Sequence, residues 1–417
     1  MVAEKEDKNI SIILLAIGIF ACIPVVRLGS YSLYIWLLII GIIYCAIFQR
    51  FRLSYTEILP LVIAGTLTYI ITYQSLSSSY AENDLKGMFA LWLVLLASQS
   101  MLTESGYANA LIQGVVIGGK INILWIFVQT LLSKAANIDI NDLIFNQTLH
   151  MVEQASQIKA SGLVSTGLCW NAGGIAAAII LVVALESTPW KLFAIVAAIL
   201  TQSTTVLVGI AVVIIYLVFR AISNSKSHLR FSGVNILIIC LIVSMVVGVI
   251  VCVPSVIVTL NSIWASTHDR LMSFFGNSEL DSSATAHFDY YNNIPELIKR
   301  MDVSQFINGY GIDCSGLPYT KLTNQYFWLD SWFVESDIVN TLLGMGIMGI
   351  ICLYYFLFSV VKVTRRNQMI ILTFVTIAYI ICGFFYNIQS VTYSWLILVE
   401  VAFCKAKFDI GVENKTK

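Results

Sequence analysis

Apolar runs recur along almost the whole chain, and no other feature limits its fold as severely. They lie near 10–26, 31–48, 57–74, 87–102, 107–133, 167–186, 190–202, 204–220, 232–253, 338–361, 369–385 and 389–404. Most approach the roughly 20 residues that carry a helix across about 30 Å of hydrocarbon. The expectation is an all-α polytopic membrane protein with about twelve transmembrane helices. The stretch 190–220 would make one overlong helix, but Thr201-Gln202-Ser203-Thr204-Thr205 is a polar break that divides it.

Composition agrees. The 417 residues are 58% hydrophobic and 12% charged, about half the charge of a typical soluble domain. Net charge is zero, which argues against a nucleic-acid partner. All the cysteines except Cys314 lie in or at the ends of apolar runs, without CxxC or Cys/His spacing. They read as small apolar fillers, with neither a zinc site nor a disulfide framework. Acids interrupt the basic residues before the first run and no small-residue cleavage site follows, so that run reads as a retained helix.

Basic residues set the expected orientation. With the N-terminus in the cytoplasm, the cytoplasmic segments carry Lys5, Lys8, Arg50, Arg52, Lys191, Arg220, Lys226, Arg230, Lys362, Arg365, Arg366 and the C-terminal lysines. The outer segments carry fewer basic residues over longer loops. Both termini then lie inside. The chain divides into helices 1–9 within 1–253, a large extracytoplasmic loop at 254–337 between spans 9 and 10, and helices 10–12 with a cytoplasmic tail in 338–417. A second extracytoplasmic segment at 134–166 has apolar positions Ile140, Leu143, Ile144, Leu149 and Val152, which predict a short amphipathic helix at the interface. No internal repeat relates two halves, which weakens a carrier reading.

The 254–337 loop is the one long polar stretch, and chemistry concentrates in such loops. It holds Ser266–Leu271, a short helix with His287, Tyr290, Tyr291 and Ile294 on one face, the turn-rich Asn308-Gly-Tyr-Gly-Ile-Asp-Cys-Ser-Gly-Leu-Pro-Tyr319, and Trp328–Asp337. Aromatic rings beside Asp, Asn, Glu and His suit carbohydrate. Trp328 and Trp332 fit an interfacial aromatic belt equally well. The spans beginning near 162–167, 204 and 337 start on the outer face with small or hydroxylic residues. Helix N-termini hold phosphates, and ordinary capping uses the same residues. Gly344-Met-Gly346-Ile-Met-Gly349 matches GxGxxG but lies in an apolar span with no preceding strand. Close helix packing is the reading.

The order H-x-x-Y-Y, N-G-Y-G-x-x-x-S-G-x-P-Y, then W-F-V-E-S-D-I with a following G-x-G-I-x-G helix resembles the Wzy-type polysaccharide polymerases of capsular and exopolysaccharide pathways, relatives of the O-antigen polymerases and ligases. Upstream, Ser161-Gly-Leu-Val-Ser-Thr-Gly-Leu-Cys-Trp-Asn171 is similar to that family's entry to a middle span. Leu200–Thr205 occupies its span junction, with Thr204 where relatives carry arginine. The resemblance runs from about 160 to 395 and implies a GT-C-like glycosyltransferase of the outer membrane face. Its substrates would be undecaprenyl-diphosphate-linked oligosaccharide repeat units, its partners the bilayer, a flippase and a chain-length regulator, and it would need no metal or cofactor.

Such a transfer needs a base for the acceptor hydroxyl and cations for the diphosphate leaving group. His287 is the first candidate base, with an unperturbed pKa of about 6.5; Glu335 is the second, or else a sugar ligand. Arg270 suits the diphosphate through its planar fork, with Lys159 and Arg300 as weaker candidates. Asn171, Tyr290, Tyr291, Trp332 and Asp337 complete the expected substrate contacts. The competing functions are an O-antigen-type ligase and a lipid-linked oligosaccharide flippase. A flippase needs a charged cavity, and intramembrane charge here is almost confined to Lys120, Glu186 and Glu400.

Overall fold

The computed structural model describes residues 2–29, 31–48, 51, 56–73, 78–148, 167–169, 172–201, 203–224, 289–323, 334–389 and 394–407. These are almost entirely helical. In chain order they form α1 (Val2–Ala21), a two-residue antiparallel hairpin (Arg27–Leu28 with Tyr31–Ser32), α2 (Leu33–Ile47), α3 (Leu59–Thr72), α4 (Ser78–Ser100), α5 (Ser105–Ala136), α6 (Ala172–Leu185), α7 (Thr188–Thr201) and α8 (Thr204–Asn224). Three short helices follow, α9 (Ile294–Arg300), α10 (Val303–Asn308) and α11 (Gly316–Thr323). The long α12 (Asp337–Arg366), α13 (Ile370–Cys382) and α14 (Ser394–Lys405) close the fold.

Each expected apolar run that falls among the described residues contains a helix, although Tyr31–Ser32 is a strand and residues 22–26, 167–169 and 383–385 are not helical; the run at 232–253 lies outside the described residues. The polar break is present, with α7 ending at Thr201 and α8 beginning at Thr204. Among the described residues, two helices are long and apolar enough to cross a membrane, Ser105–Ser133 and Asp337–Arg366. The other apolar helices are shorter, such as the 14-residue α3, which is about 21 Å long at 1.5 Å per residue. Large apolar side chains are exposed at helical spacing: Leu59, Ile63, Leu67 and Ile70 on α3, and Ile117, Ile121, Leu124, Val128 and Leu131 on α5. The 134–166 segment begins differently from expectation. Asn137 ends α5 in the left-handed conformation, and Asp142–Thr148 is a π-helical turn rather than an α-helix. Residues 149–166 lie outside the described set.

The bundle is held by close approach and by a few buried polar ties. Gly114 and Gly118 of α5 lie against the backbone of α1, and Gly119 lies against α6, so side chains there would separate the helices. Asn122 donates to the Cys22 carbonyl (2.6 Å) and accepts from the Leu168 amide (2.8 Å). Gln129 and Asn141 bind the two sides of the Gly167 peptide. Lys120 forms an ion pair with Glu186, and its ammonium also lies 5.2 Å from the centre of the Trp190 ring. Two of the isolated charges in the sequence are therefore each other's partner.

The loop elements pack on one end of this bundle. Asp302 and Gln305 form a reciprocal capping box that starts α10, and Gly309 ends it at φ 76°. Pro295 stands in the first turn of α9, where its missing N–H costs nothing. Tyr290, Leu297, Met301, Tyr319, Val334, Val339 and Leu343 form a small second core, which joins the loop to the start of α12. α12 is broken at Gly346, whose φ is 66° and ψ −165°.

Gly346 has two reasons to be glycine. Its φ lies in the left-handed region, and a methyl group would strike the Ile307 carbonyl of α10. Gly346→Ala should lower stability by roughly 1–3 kcal/mol from backbone strain alone. Gly106→Ala, where a methyl meets nothing within 4 Å, should not lower it. Thermal melts of the purified full chain in detergent check the contrast; equal melting temperatures for the two variants would contradict it.

Candidate functional site

The break in α12 is built from two chain segments that complete each other. The sequence Gly309-Tyr310-Gly311 runs alongside Leu343-Gly344. The Tyr310 amide donates to the Leu343 carbonyl (2.7 Å) and the Gly311 amide to the Gly344 carbonyl (3.0 Å). Helix unwinding frees backbone groups that must find partners when buried, and the loop supplies them. The glycine spacing does serve close packing, as expected. The element packed there is α10 with its trailing turn, since a methyl at Gly309 would strike Gly344.

Further ties fix the loop on α3 and α4. Asp84 accepts from the Ile312 amide (2.6 Å) and from the Thr72 hydroxyl (2.7 Å). Thr68 donates to the Asn308 carbonyl (3.0 Å). The Cys314 thiol reaches the Tyr80 carbonyl (3.2 Å); burial, then Asp84 and Asp313, push its pKa up, so it is an inert packing group rather than a nucleophile. Ser315 donates to the Asn340 side-chain oxygen and accepts from the Val334 amide (2.8 Å). Between these anchors lies a cleft of about 10 Å³, lined by Asp313, Asn340, Thr341, Gly344 and Gln389 with apolar neighbours such as Leu61 and Leu353.

The expected site residues fall into three groups. His287, Arg270, Lys159, Asn171 and Trp332 lie outside the described residues. Tyr290, Tyr291, Glu335 and Asp337 come together where α12 begins. Tyr290 is buried, packs edge-on against Tyr319 with ring centres 5.4 Å apart, and is hydrogen-bonded to the Glu335 backbone. Burial, then the Glu335 charge, raises its pKa. The Tyr291 hydroxyl donates to the Phe384 carbonyl and meets the Ser336 hydroxyl at 2.9 Å. Burial pushes its pKa up to about 12, with Asp337 adding and the Ser336 hydrogen bond opposing. The Asp337 carboxylate accepts from the Gln389 amide at 2.9 and 3.1 Å, and its own amide donates to the Gly383 carbonyl. It therefore joins α12 to the chain between α13 and α14. Arg300 stands apart on the exposed side of α9. Its guanidinium bonds Glu296 (2.6 Å) and the Leu322 carbonyl (2.8 Å), tying α9 to the end of α11.

The residues that line the cleft were not among the expected contacts. Asp313 sits inside the quoted glycine-rich motif, in the left-handed conformation at φ 55°. Asn340 and Thr341 lie three and four residues beyond Asp337, a polar stripe at helical spacing in an apolar run. That stripe was a usable signal. Gln389 gave none, because its role depends on the fold around it. Among the described residues, no group of three or more His, Cys, Asp or Glu side chains has the arrangement of a metal site. No protein-family model matches the chain, and no match to a curated protein was found.

Ser315 is fully buried and bridges loop and helix with both lone pair and proton. Ser315→Ala leaves the Val334 amide without its acceptor and should cost roughly 1–3 kcal/mol. Limited proteolysis should then cut the 289–323 region faster than in the wild type. Unchanged protection of that region would show that the loop is held by other contacts.

Proposed function

We propose that the protein is a Wzy-type polymerase that joins undecaprenyl-diphosphate-linked oligosaccharide repeat units into capsular or exopolysaccharide. On this reading it spans the cytoplasmic membrane about twelve times, as the lengths of its apolar runs allow. Both termini are cytoplasmic, and the 254–337 loop works on the outer face. The exposed apolar stripes on α3 and α5 support a lipid-facing surface, because such stripes are costly in water. The observation that carries the functional reading is the convergence of the motifs behind the resemblance. The Tyr290-Tyr291 pair, the Asn308–Tyr319 turn and the Glu335-Ser336-Asp337 helix start are distant in sequence but pack along α12 between its start and its break, the tyrosines at the start and the turn at both.

The chemistry proposed is displacement at the anomeric carbon of the growing chain. The acceptor hydroxyl loses its proton to a base, either His287 or Glu335, and the lipid diphosphate departs towards Arg270. Tyr291, held against the helix start, and Trp332 are the proposed sugar contacts.

A strain lacking the protein should accumulate a single lipid-linked repeat unit on the outer face. A unit trapped inside would indicate a flippase instead, and polymer that forms but is not attached to its acceptor would indicate a ligase. His287→Ala, Arg270→Ala and Glu335→Gln should each abolish polymer in complementation. If full-length polymer persists with all three, the assignment of the site fails.

A further inference from the structure

We infer that Glu400 is a neutral carboxylic acid in the folded protein, joined to the Gln389 amide by two hydrogen bonds. Its proton sits on Oε2 and is donated to Gln389 Oε1. The pair links α14 to the start of α12, and loss of the proton would loosen that link. This inference does not depend on the glycosyl-transfer reading.

Two orphaned oxygens carry it. Glu400 is fully buried and Gln389 is 3% exposed. Gln389 Nε2 donates to Glu400 Oε1 at 2.9 Å. The second oxygen of the acid, Oε2, and the oxygen of the amide, Oε1, have no partner among the described residues. A carboxylate and an amide oxygen both only accept, so an ionised Glu400 leaves both oxygens unsatisfied. A carboxylic acid has one O–H to donate. An acid and a primary amide can meet edge to edge, each donating once and accepting once. The bond from Nε2 is one half of that arrangement, and a single proton on Oε2 supplies the other. Turning the amide over would set its oxygen against Glu400 Oε1 and leave Oε2 as it was. A water in the cleft could reach Gln389, but Glu400 does not line the cleft.

The surroundings favour the same state. Asp337 lies on the other side of Gln389, whose backbone amide donates to both its oxygens. The Ile388 amide adds a further bond, and Asp337 stands in the first turn of α12, where an acid is favoured. Glu400 accepts from one side-chain amide only. Two neighbouring buried carboxyls resist ionising together, and Glu400 is the less supported of the two. The Tyr379 hydroxyl of α13 also faces it, and is spent on the Ala177 carbonyl. Helices α4 and α5 pack on α14 but bring no charge that acts on Glu400. Among the described residues, no ion pair includes it. A buried carboxyl without a cation is held in its neutral form.

The test is the infrared spectrum of the purified full chain near neutral pH. The wild type should show the carbonyl band of a protonated carboxylic acid, and Glu400→Gln should lose that band while keeping a paired amide in its place. Gln389→Leu keeps the acid but removes both bonds, so the band should move to higher frequency. Melting gives a second readout. The folded chain keeps a proton that an unfolded glutamate releases above a pKa of about 4.3. Stability should therefore fall as pH rises from about 5 to about 7, relative to Glu400→Gln. A wild type without the band, or one whose spectrum Glu400→Gln leaves unchanged, overturns the proposal. So does a melting difference between the two that stays constant with pH. If Glu400→Gln fails to fold, the Gln389→Leu shift decides, and an unmoved band overturns the pairing.

Discussion

Two backbone hydrogen bonds, from Tyr310 to Leu343 and from Gly311 to Gly344, make the rest of this end of the molecule possible. A helix broken inside an apolar bundle exposes peptide groups where water cannot reach them. The loop meets that need by lying along the break as a short length of paired backbone. Gly309 and Gly346 allow the two chains to touch. The Asp84 carboxylate then takes the next amide, that of Ile312. The loop is thus fixed by backbone pairing together with a few buried polar side chains, Asp84, Thr68 and Ser315.

The charged groups follow the same logic. Charge in a low-dielectric bundle is tolerated where it is paired or used. Lys120 has Glu186 and the face of Trp190, and is accounted for as structure. Glu400 has a partner on one oxygen only, through Gln389. Asp337 is held by the Gln389 backbone. Gln389 therefore joins two buried carboxylates, Asp337 through its backbone and Glu400 through its side chain, at the wall of the cleft.

Much of the helical architecture was legible because hydrophobic run length is a local property. The break between Thr201 and Thr204 was legible for the same reason. The break in α12 was not. Glycine spacing announces close packing, but a positive φ is a state that glycine permits without demanding, and the partner that requires it lies in another segment. The pairing of Lys120 with Glu186 was hidden in the same way. Tyr291, Glu335 and Asp337 were named from the sequence and do meet; Arg300 was also named, and its guanidinium serves Glu296 and Leu322. Asn340 and Thr341 showed as a weak polar stripe, while Asp313 and Gln389 acquire meaning only from the cleft they line.

The claim on which the account rests is that residues 310–312 are part of the helix bundle and not of a surface loop. Hydrogen exchange of the purified protein in lipid nanodiscs measures this directly. The Tyr310, Gly311 and Ile312 amides should exchange as slowly as those in the middle of α12, because each is bonded to that helix or to Asp84. Exchange at the rate of an open loop would contradict the account.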